Sequence, residues 1–502
     1  MKRLAKAAAA KALRANRPRS QSLDAVFFDT ADGRLAQAGI SLQMCKARDH
    51  WVQTLTFRPE PGETAAPLVV TTQKTTRAKP QVLQLPASPT RTRLLSVVSK
   101  KALRPIATMA LSRSTRLLRA NGEGRIALEI DRGTIRRSSS SAPVGEARLK
   151  LMHGRAAGLL AVAESLLSAE PITILIRSGP AGSRGPTLPA SVNDSAVPTP
   201  QVSRVPRLSR AMTGLQALSA LGHTAAIQIL HNWEVVLRSD DPEGAHQLRV
   251  GLRRLRTALH GAKPLTRDER LVRLRAEAKR LGAIVGALRD ADVLLQEVVA
   301  PAFAAEENGA SDSILRARLT DYREHQRRIV RRELESPDWS WLKLNCALFD
   351  CAIDDIRSTL EDERQEGRVL AHARHTLQAS WRKAKAWGRD IDHLTIDERH
   401  EMRKALKHLR YSIEFYASLY PRKATSEFVK RLKTLQDIFG YLNDVAMSEQ
   451  LAGILSQSED VEPRLQDAIH AVGAWHEKRA SKAWKRAKAR WRDLDETPRF
   501  WK

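Results

Sequence analysis

The chain of 502 residues carries 84 Lys and Arg against 56 Asp and Glu, a formal net charge of +28. That length divides into two or three domains, and so large a positive excess implies a polyanionic partner. Its three cysteines, Cys45, Cys346 and Cys351, exclude a disulfide framework and a four-cysteine metal site, so free thiols in a reducing compartment are expected.

No apolar run approaches the roughly 18 residues that span a bilayer, and the first residues lack the continuous hydrophobic segment of a secretory leader. The expectation is a soluble, cytoplasmic protein without a membrane span. Residues 1–20, rich in Ala, Lys and Arg and free of acid, share that composition with organelle transit peptides.

Residues 1–177 read as an α+β domain. Short runs at 25–28, 41–44, 51–57, 67–72, 125–130, 146–151 and 172–176 mostly alternate apolar and polar residues, and Gly or Pro separates several of them, as strands require. A helix is expected over 156–167. Residues 178–207, dominated by Gly, Pro, Ser and Ala without a hydrophobic period, read as a flexible linker. The charge is uneven: 31 Lys and Arg stand against 13 Asp and Glu in residues 1–200, and 53 against 43 beyond.

From 208 to 502 the apolar period is helical, and Gly and Pro are largely confined to junctions such as Asp241-Pro242, Lys263-Pro264 and Tyr420-Pro421. This half is a duplication. The segment His246-Gln-Leu-Arg-Val-Gly-Leu-Arg-Arg-Leu-Arg returns 154 residues later as His400-Glu-Met-Arg-Lys-Ala-Leu-Lys-His-Leu-Arg. The offset matches His246 with His400, Arg249 with Arg403, Arg253 with Lys407 and Arg256 with Arg410. It also pairs Lys279 with Lys433, Gly286 with Gly440, Asp290 with Asp444 and Trp233 with Trp387, the last two expected as core aromatics. Two copies of about 150 residues, near 208–355 and 356–502, suggest two antiparallel bundles related by a pseudo-twofold axis.

Helical geometry puts Leu248, Leu252, Leu255 and Leu259 on one buried stripe. His246, Arg249, Arg253, Arg256 and His260 form a second stripe about a quarter turn away, at the core boundary. In the second copy Met402, Leu406, Leu409 and Ile413 form the apolar stripe, and His400, Arg403, Lys407 and Arg410 the basic one. Arg254, Lys404 and His408 are expected to point outward as solvated residues. Basic side chains of this kind commonly snorkel over an apolar face with their heads in water. Like charges at helical neighbour spacing repel, however, and two matched stripes without interleaved carboxylates suit an anionic ligand. The planar fork of Arg can grip two phosphate oxygens, and His gains charge where phosphate raises its pKa. Asp290 and Asp444 are expected to organise neighbouring arginines.

The His-x-x-Arg-x-x-x-Arg-Arg-Leu-Arg run, its repeat ending Lys-His-Leu-Arg-Tyr, the Leu-x-Asn-Asp around Asp444 and the closing Arg-Phe-Trp resemble a CHAD domain, the conserved histidine α-helical domain. The resemblance covers about 208–502. It implies a helical domain that binds inorganic polyphosphate in a basic cleft, with His246, Arg249, Arg253, Arg256, His400, Arg403, Lys407 and Arg410 as ligand residues, Lys279 and Lys433 as secondary ones, and attachment to polyphosphate granules as a consequence.

The first half is similar to the CYTH, or triphosphate tunnel, family through Phe27-Phe28-Asp29-Thr30, the Gly39 turn, Trp51-Val-Gln-Thr-Leu and Glu129-x-Asp131-x-Gly133. That likeness implies a closed antiparallel tunnel barrel of about eight strands holding triphosphate between basic side chains and metal-bound carboxylates. The chain departs from the pattern: no Glu-x-Glu-x-Lys strand precedes Phe28, basic positions fall on Gln43, Cys45 and Thr56, and a run of three acids falls on Glu146, Arg148 and Lys150. Cations at Arg148 and Lys150 stand where a metal should sit, so the domain is read as degenerate and not hydrolytic, with no cofactor and with Mg or Mn needed only by an active tunnel. Asp29, Glu129 and Asp131 are then expected in structural roles. Two alternatives to polyphosphate binding are a metal-dependent inorganic triphosphatase and a nucleic-acid binder, the latter suggested by Trp475, Trp484 and Trp491 among the cations of the basic tail, 478–492.

Overall fold

The computed structural model describes residues 16–47, 49–57, 69–87, 89–98, 102–119, 124–137, 141–169, 197–303, 309–359, 368–448, 451, 453 and 463–502. The chain divides into two compact units, Met1–Val197 and Pro198–Lys502. The strand expected at 172–176 and most of the expected linker lie outside the described residues.

The first unit is a seven-stranded sheet built from β1 (Arg19–Asp29), β2 (Ile40–Lys46), β3 (Trp51–Phe57), β4 (Val69–Thr75), β5 (Arg104–Arg119), β6 (Arg125–Arg136) and β7 (Ser141–His153). Their order is β4-β3-β2-β1-β5-β6-β7, and every neighbouring pair is antiparallel. This arrangement fits a barrel-like domain. Three apolar clusters hold it. On one face Leu118, Ile126, Leu128 and Ile130 pack under helix α3 (Ala156–Ala169), which includes the expected 156–167. Near β2, Leu42, Met44 and Leu55 pack with α1 (Arg34–Gln37) and α2 (Pro89–Val98). The remaining cluster joins Phe27, Met109, Leu111, Ile135 and Val144 on the face that also carries Arg113. Asp29 is buried and accepts the backbone N–H groups of Leu35 at 2.8 Å and Ala36 at 3.1 Å, so it ties β1 to α1.

The second unit is helical: α4 (Gly214–Arg238), α5 (Pro242–Gly261), α6 (Glu269–Val293), α7 (Gly309–Glu335), α8 (Ser340–Ala347), α9 (Phe349–Thr359), α10 (Val369–Gly388), α11 (Ile396–Tyr416), α12 (Arg422–Ser448) and α13 (Pro463–Glu496). Duplication is visible element by element: the starts Gly214, Pro242, Glu269 and Gly309 are followed within one residue of the 154 offset by Val369, Ile396, Arg422 and Pro463. The two stripe-bearing helices begin at strong N-caps. Asp241 accepts from the N–H of Glu243 ahead of Pro242 in α5, and Thr395 and Glu398 form a reciprocal capping box in α11. One apolar core runs through both copies, from Leu215, Trp233 and Leu252 to Leu406, Phe428 and Trp501. The indole of Trp491 stacks on Trp381 at 5.6 Å, and Gly388 is the reason it fits, because a Cβ there would lie 1.9 Å from the Trp491 ring.

The unit boundary after Val197 lies inside the expected linker. Residues beyond it are pinned to α4 and α5. Gln201 exchanges hydrogen bonds with the Asn232 side chain, and Arg254 Nη1 donates to the carbonyl of Ser203 at 2.7 Å and to Gln228 Oε1 at 2.9 Å. Arg254 is therefore a packing residue, contrary to the outward position expected of it. His408 differs in the same way. Its Nδ1 lies 3.1 Å from Ser380 Oγ and its ring meets His260 edge-on at 5.1 Å, so burial, followed by the charges of His260, Lys383 and Arg275, pushes it down to about 4. Only Lys404 of the three is solvated, paired with Glu401 at 2.6 Å. Among the described residues no helix is long and apolar enough to cross a membrane.

Candidate anion-binding site

Helices α5 and α11 pack against each other, and their basic stripes meet at the seam. Arg249, Arg253, Arg403 and Lys407 are all half-buried there. Arg249 is held by α6, donating through Nη1 to Asp290 at 2.7 Å and to the Gly286 carbonyl at 3.1 Å. A Cβ at Gly286 would stand 3.4 Å from the guanidinium, so glycine leaves it room. Asp444 is the matching carboxylate for Arg403, although burial lifts Asp444 against the pull of Arg403. Arg253 leans over the Tyr411 ring at 5.8 Å.

The electrostatics of this seam are unfavourable without a ligand. Burial and then the charges of Arg253, Arg403 and Arg249 push the Lys407 amine down to about 6 from an ordinary 10.5. Burial also lowers Arg403, with Asp444 opposing and Arg253 and Arg249 adding to the fall. His246 is held below its usual range by burial and by Arg289, Arg253 and Lys407, against Glu243. Asp290 and Asp444 are the carboxylates among Arg249, Arg253, Arg403 and the Lys407 amine, and Glu243 acts on His246, so basic groups outnumber acids in a partly desolvated place where charges interact more strongly than in water.

The stripe ends differ in their partners. Exposed His400 has its Nδ1 2.8 Å from Asn443 Oδ1. Arg410 is taken by Glu414 at 2.7 Å and Gln436 at 3.3 Å, whereas burial and the charges of Arg275 and Arg253 lower Arg256, with no carboxylate acting on it. Lys279 and Lys433 are exposed on α6 and α12. Lys279 follows Arg275 by one helical turn, so both share the side of α6 that carries Gly286 and Asp290. Sequence reading did not single out Arg275 or Lys383. The first has its signal in that spacing; the second has none, because its repeat mate is Ile229.

The tryptophans of the tail are packing residues. Trp491 is buried, and Trp484 meets Phe439 at 6.0 Å and lies under the Arg399 guanidinium at 4.0 Å. Trp475 lies under Arg479 at 3.6 Å. No row of free aromatic faces for stacking bases results.

In the first unit, Arg113 bonds to Asp131 in bidentate fashion with both contacts at 2.7 Å, and it lies 3.4 Å from Glu129. Burial pulls Arg113 down, but those carboxylates outweigh it and the net shift is upward. Arg148 and Lys150 on β7 each lie 3.6 Å from Glu129. Glu129 and Asp131 are thus occupied by three cations. This donor set does not fit a divalent ion, and no group of three metal-ligating side chains occurs among the described residues.

Residues 220–453 match the family model of the CHAD domain. The chain carries a CHAD domain. A crystal structure of the CHAD domain from the plant Ricinus communis resembles it with a TM-score of 0.51 at 24% identity, over 60% of this chain and 99% of that one. A structure titled PptA from Streptomyces chartreusis gives a TM-score of 0.38 at 15% identity, over 57% and 99%. The first likeness speaks for the fold alone, and the second is too distant to carry an argument. No curated protein matches the chain.

Proposed function

We propose that the CHAD domain of this protein binds inorganic polyphosphate in the seam between α5 and α11, and that it attaches the protein to polyphosphate-rich bodies of the cytoplasm. The observation that carries the reading is the convergence of Arg249, Arg253, Arg403 and Lys407 from two repeats with too little carboxylate to neutralise them. A chain of phosphoryl groups offers closely spaced negative charge and bidentate partners for the guanidinium forks, and its charge opposes the burial and the neighbouring cations that together depress Lys407. The first unit takes a supporting role, since Glu129 and Asp131 are already ion-paired. Phosphate release from tripolyphosphate with magnesium or manganese, abolished by Glu129→Gln, would instead restore the tunnel-enzyme reading.

The test is titration of the full chain with polyphosphate over a salt series. By analogy with counterion release from nucleic acids, engagement of about four phosphates by the seam predicts a loss of about two orders of magnitude between about 50 and about 200 mM salt. A nearly flat titration would refute binding by this cluster.

A further inference from the structure

The two halves of the seam are not equivalent at their outer ends. On the α5 side the His260 ring meets the His408 ring at 5.1 Å, Ser380 of α10 lies 3.1 Å from His408 with Lys383 one helical turn further on, Lys263 follows His260 by three residues, and Arg275 of α6 acts on both His260 and Arg256. Burial leads the lowering of His260, and every charge acting on it is positive: Arg275, Lys263 and Lys383. The same holds for His408 beneath it, whose Nε2 is buried without a partner. Among the described residues, none of Arg256, Lys263, Arg275 and Lys383 makes an ion pair with a carboxylate.

At the α11 end the positions that match His260, Lys263 and Arg275 hold Glu414, Ala417 and Val429, and the mate of Lys383 is buried Ile229. Glu414 neutralises Arg410 there. The gathering is more than the usual preference of basic residues for a helix C-terminus. That preference covers His260 and Lys263, but Arg275 stands nearer the electropositive start of α6 and Lys383 arrives from a different helix. From Arg249 to His260 the cationic edge runs roughly 16 Å along α5 at 1.5 Å per residue, well past the seam.

We propose that the trough is one-ended: beyond Arg256 it continues into a second anion subsite formed by His260, Lys263, Arg275 and Lys383, which takes the distal phosphoryl groups of a chain too long for the seam, and which has no counterpart at the α11 end. This rests on the polyphosphate reading and adds a direction to it. Tripolyphosphate fills the four central cations only; a long chain leaves the seam on the α5 side.

The experiment compares tripolyphosphate with long-chain polyphosphate at fixed salt in the full chain. The variants are Arg275→Gln with Lys383→Gln, and a control removing equal charge from the exposed face of α13, Lys482→Gln with Arg486→Gln. The subsite variant is expected to bind the long chain about tenfold or more weakly and tripolyphosphate within about twofold of the parent, while the control changes neither by more than about threefold. Lys383→Arg, tested alone, should bind both ligands as the parent does. Equal losses for both ligands, or equal losses in both double variants, overturn the subsite and leave the seam standing. Failure of the parent to bind either ligand overturns the polyphosphate reading and the subsite with it.

Discussion

Lys407 makes the seam responsive to pH in a way that can be worked through. With its amine at about 6 in the ligand-free protein, roughly one molecule in a hundred carries the charge at pH 8, since each unit of pH is a factor of ten. A phosphate chain favours the charged form and raises this value, so binding at pH 8 draws up to one proton from solution. The sign is fixed: affinity is full below about 6 and falls about tenfold per pH unit above it, until the pKa of the complex is reached. Calorimetric titration at pH 8 in two buffers of different ionisation enthalpy reads the uptake directly. Lys407→Arg keeps a permanent charge at the position and should lose both the uptake and the slope. His246, also held low, adds uptake only where the anion lifts it into the same range, and His246→Gln separates its share. Tight binding at pH 8 without proton uptake, or an unchanged slope in Lys407→Arg, would refute the reasoning.

Lys407→Met should stabilise the ligand-free domain by about 1–2 kcal/mol, by removing a partly desolvated amine from a like-charged group, and should weaken polyphosphate binding. Because the unfolded chain holds the Lys407 proton up to about 10.5 and the folded one releases it at about 6, the parent should gain stability as pH rises between those values, and denaturant midpoints should show a smaller gain in the variant. Arg249→Ala with Arg403→Ala should weaken polyphosphate binding at least about a hundredfold, from two lost charge-assisted contacts; Lys404→Ala, solvated and paired with Glu401, should change it by less than about threefold. Arg113→Ala leaves Glu129 and Asp131 without the arginine that joins them and should destabilise the first unit by about 3–5 kcal/mol in thermal unfolding. Gly388→Ala, with the Trp491 ring 1.9 Å from the added carbon, should cost about 1–3 kcal/mol by the same measurement.

The helical half was readable because its signals are local and doubled. Asp241-Pro242 marks the start of the first stripe helix, and the apolar stripes of both copies set which face is buried. With those fixed, the repeat alone placed Arg249, Arg253, Arg403 and Lys407 as candidates for one site. What escaped depends on contacts between elements. Arg254 reads as solvated from its helix angle, yet it anchors the segment through Ser203. His408 reads likewise, but Ser380 and His260 come from other helices. Lys383 lies outside any repeated motif. In the first unit β5 was missed although it is the longest strand, because its inward set is Ala107, Met109, Leu111 and Arg113 and includes no β-branched residue. The pairing of Glu129 with Arg113, Arg148 and Lys150 needed the register of three strands.

Arg253 and Lys407 descend from one position of the repeat, and of the charges that act on Lys407 that of Arg253 is the largest. Were two separate identical chains to assemble the same way, whatever residue occupied that spot would confront its own twin, and every change would arrive in duplicate. Covalent fusion of the copies removes that obligation. One side can keep a permanent cation while the other adopts an amine that gains and loses its proton, a division of labour open only to an assembly whose halves are free to diverge.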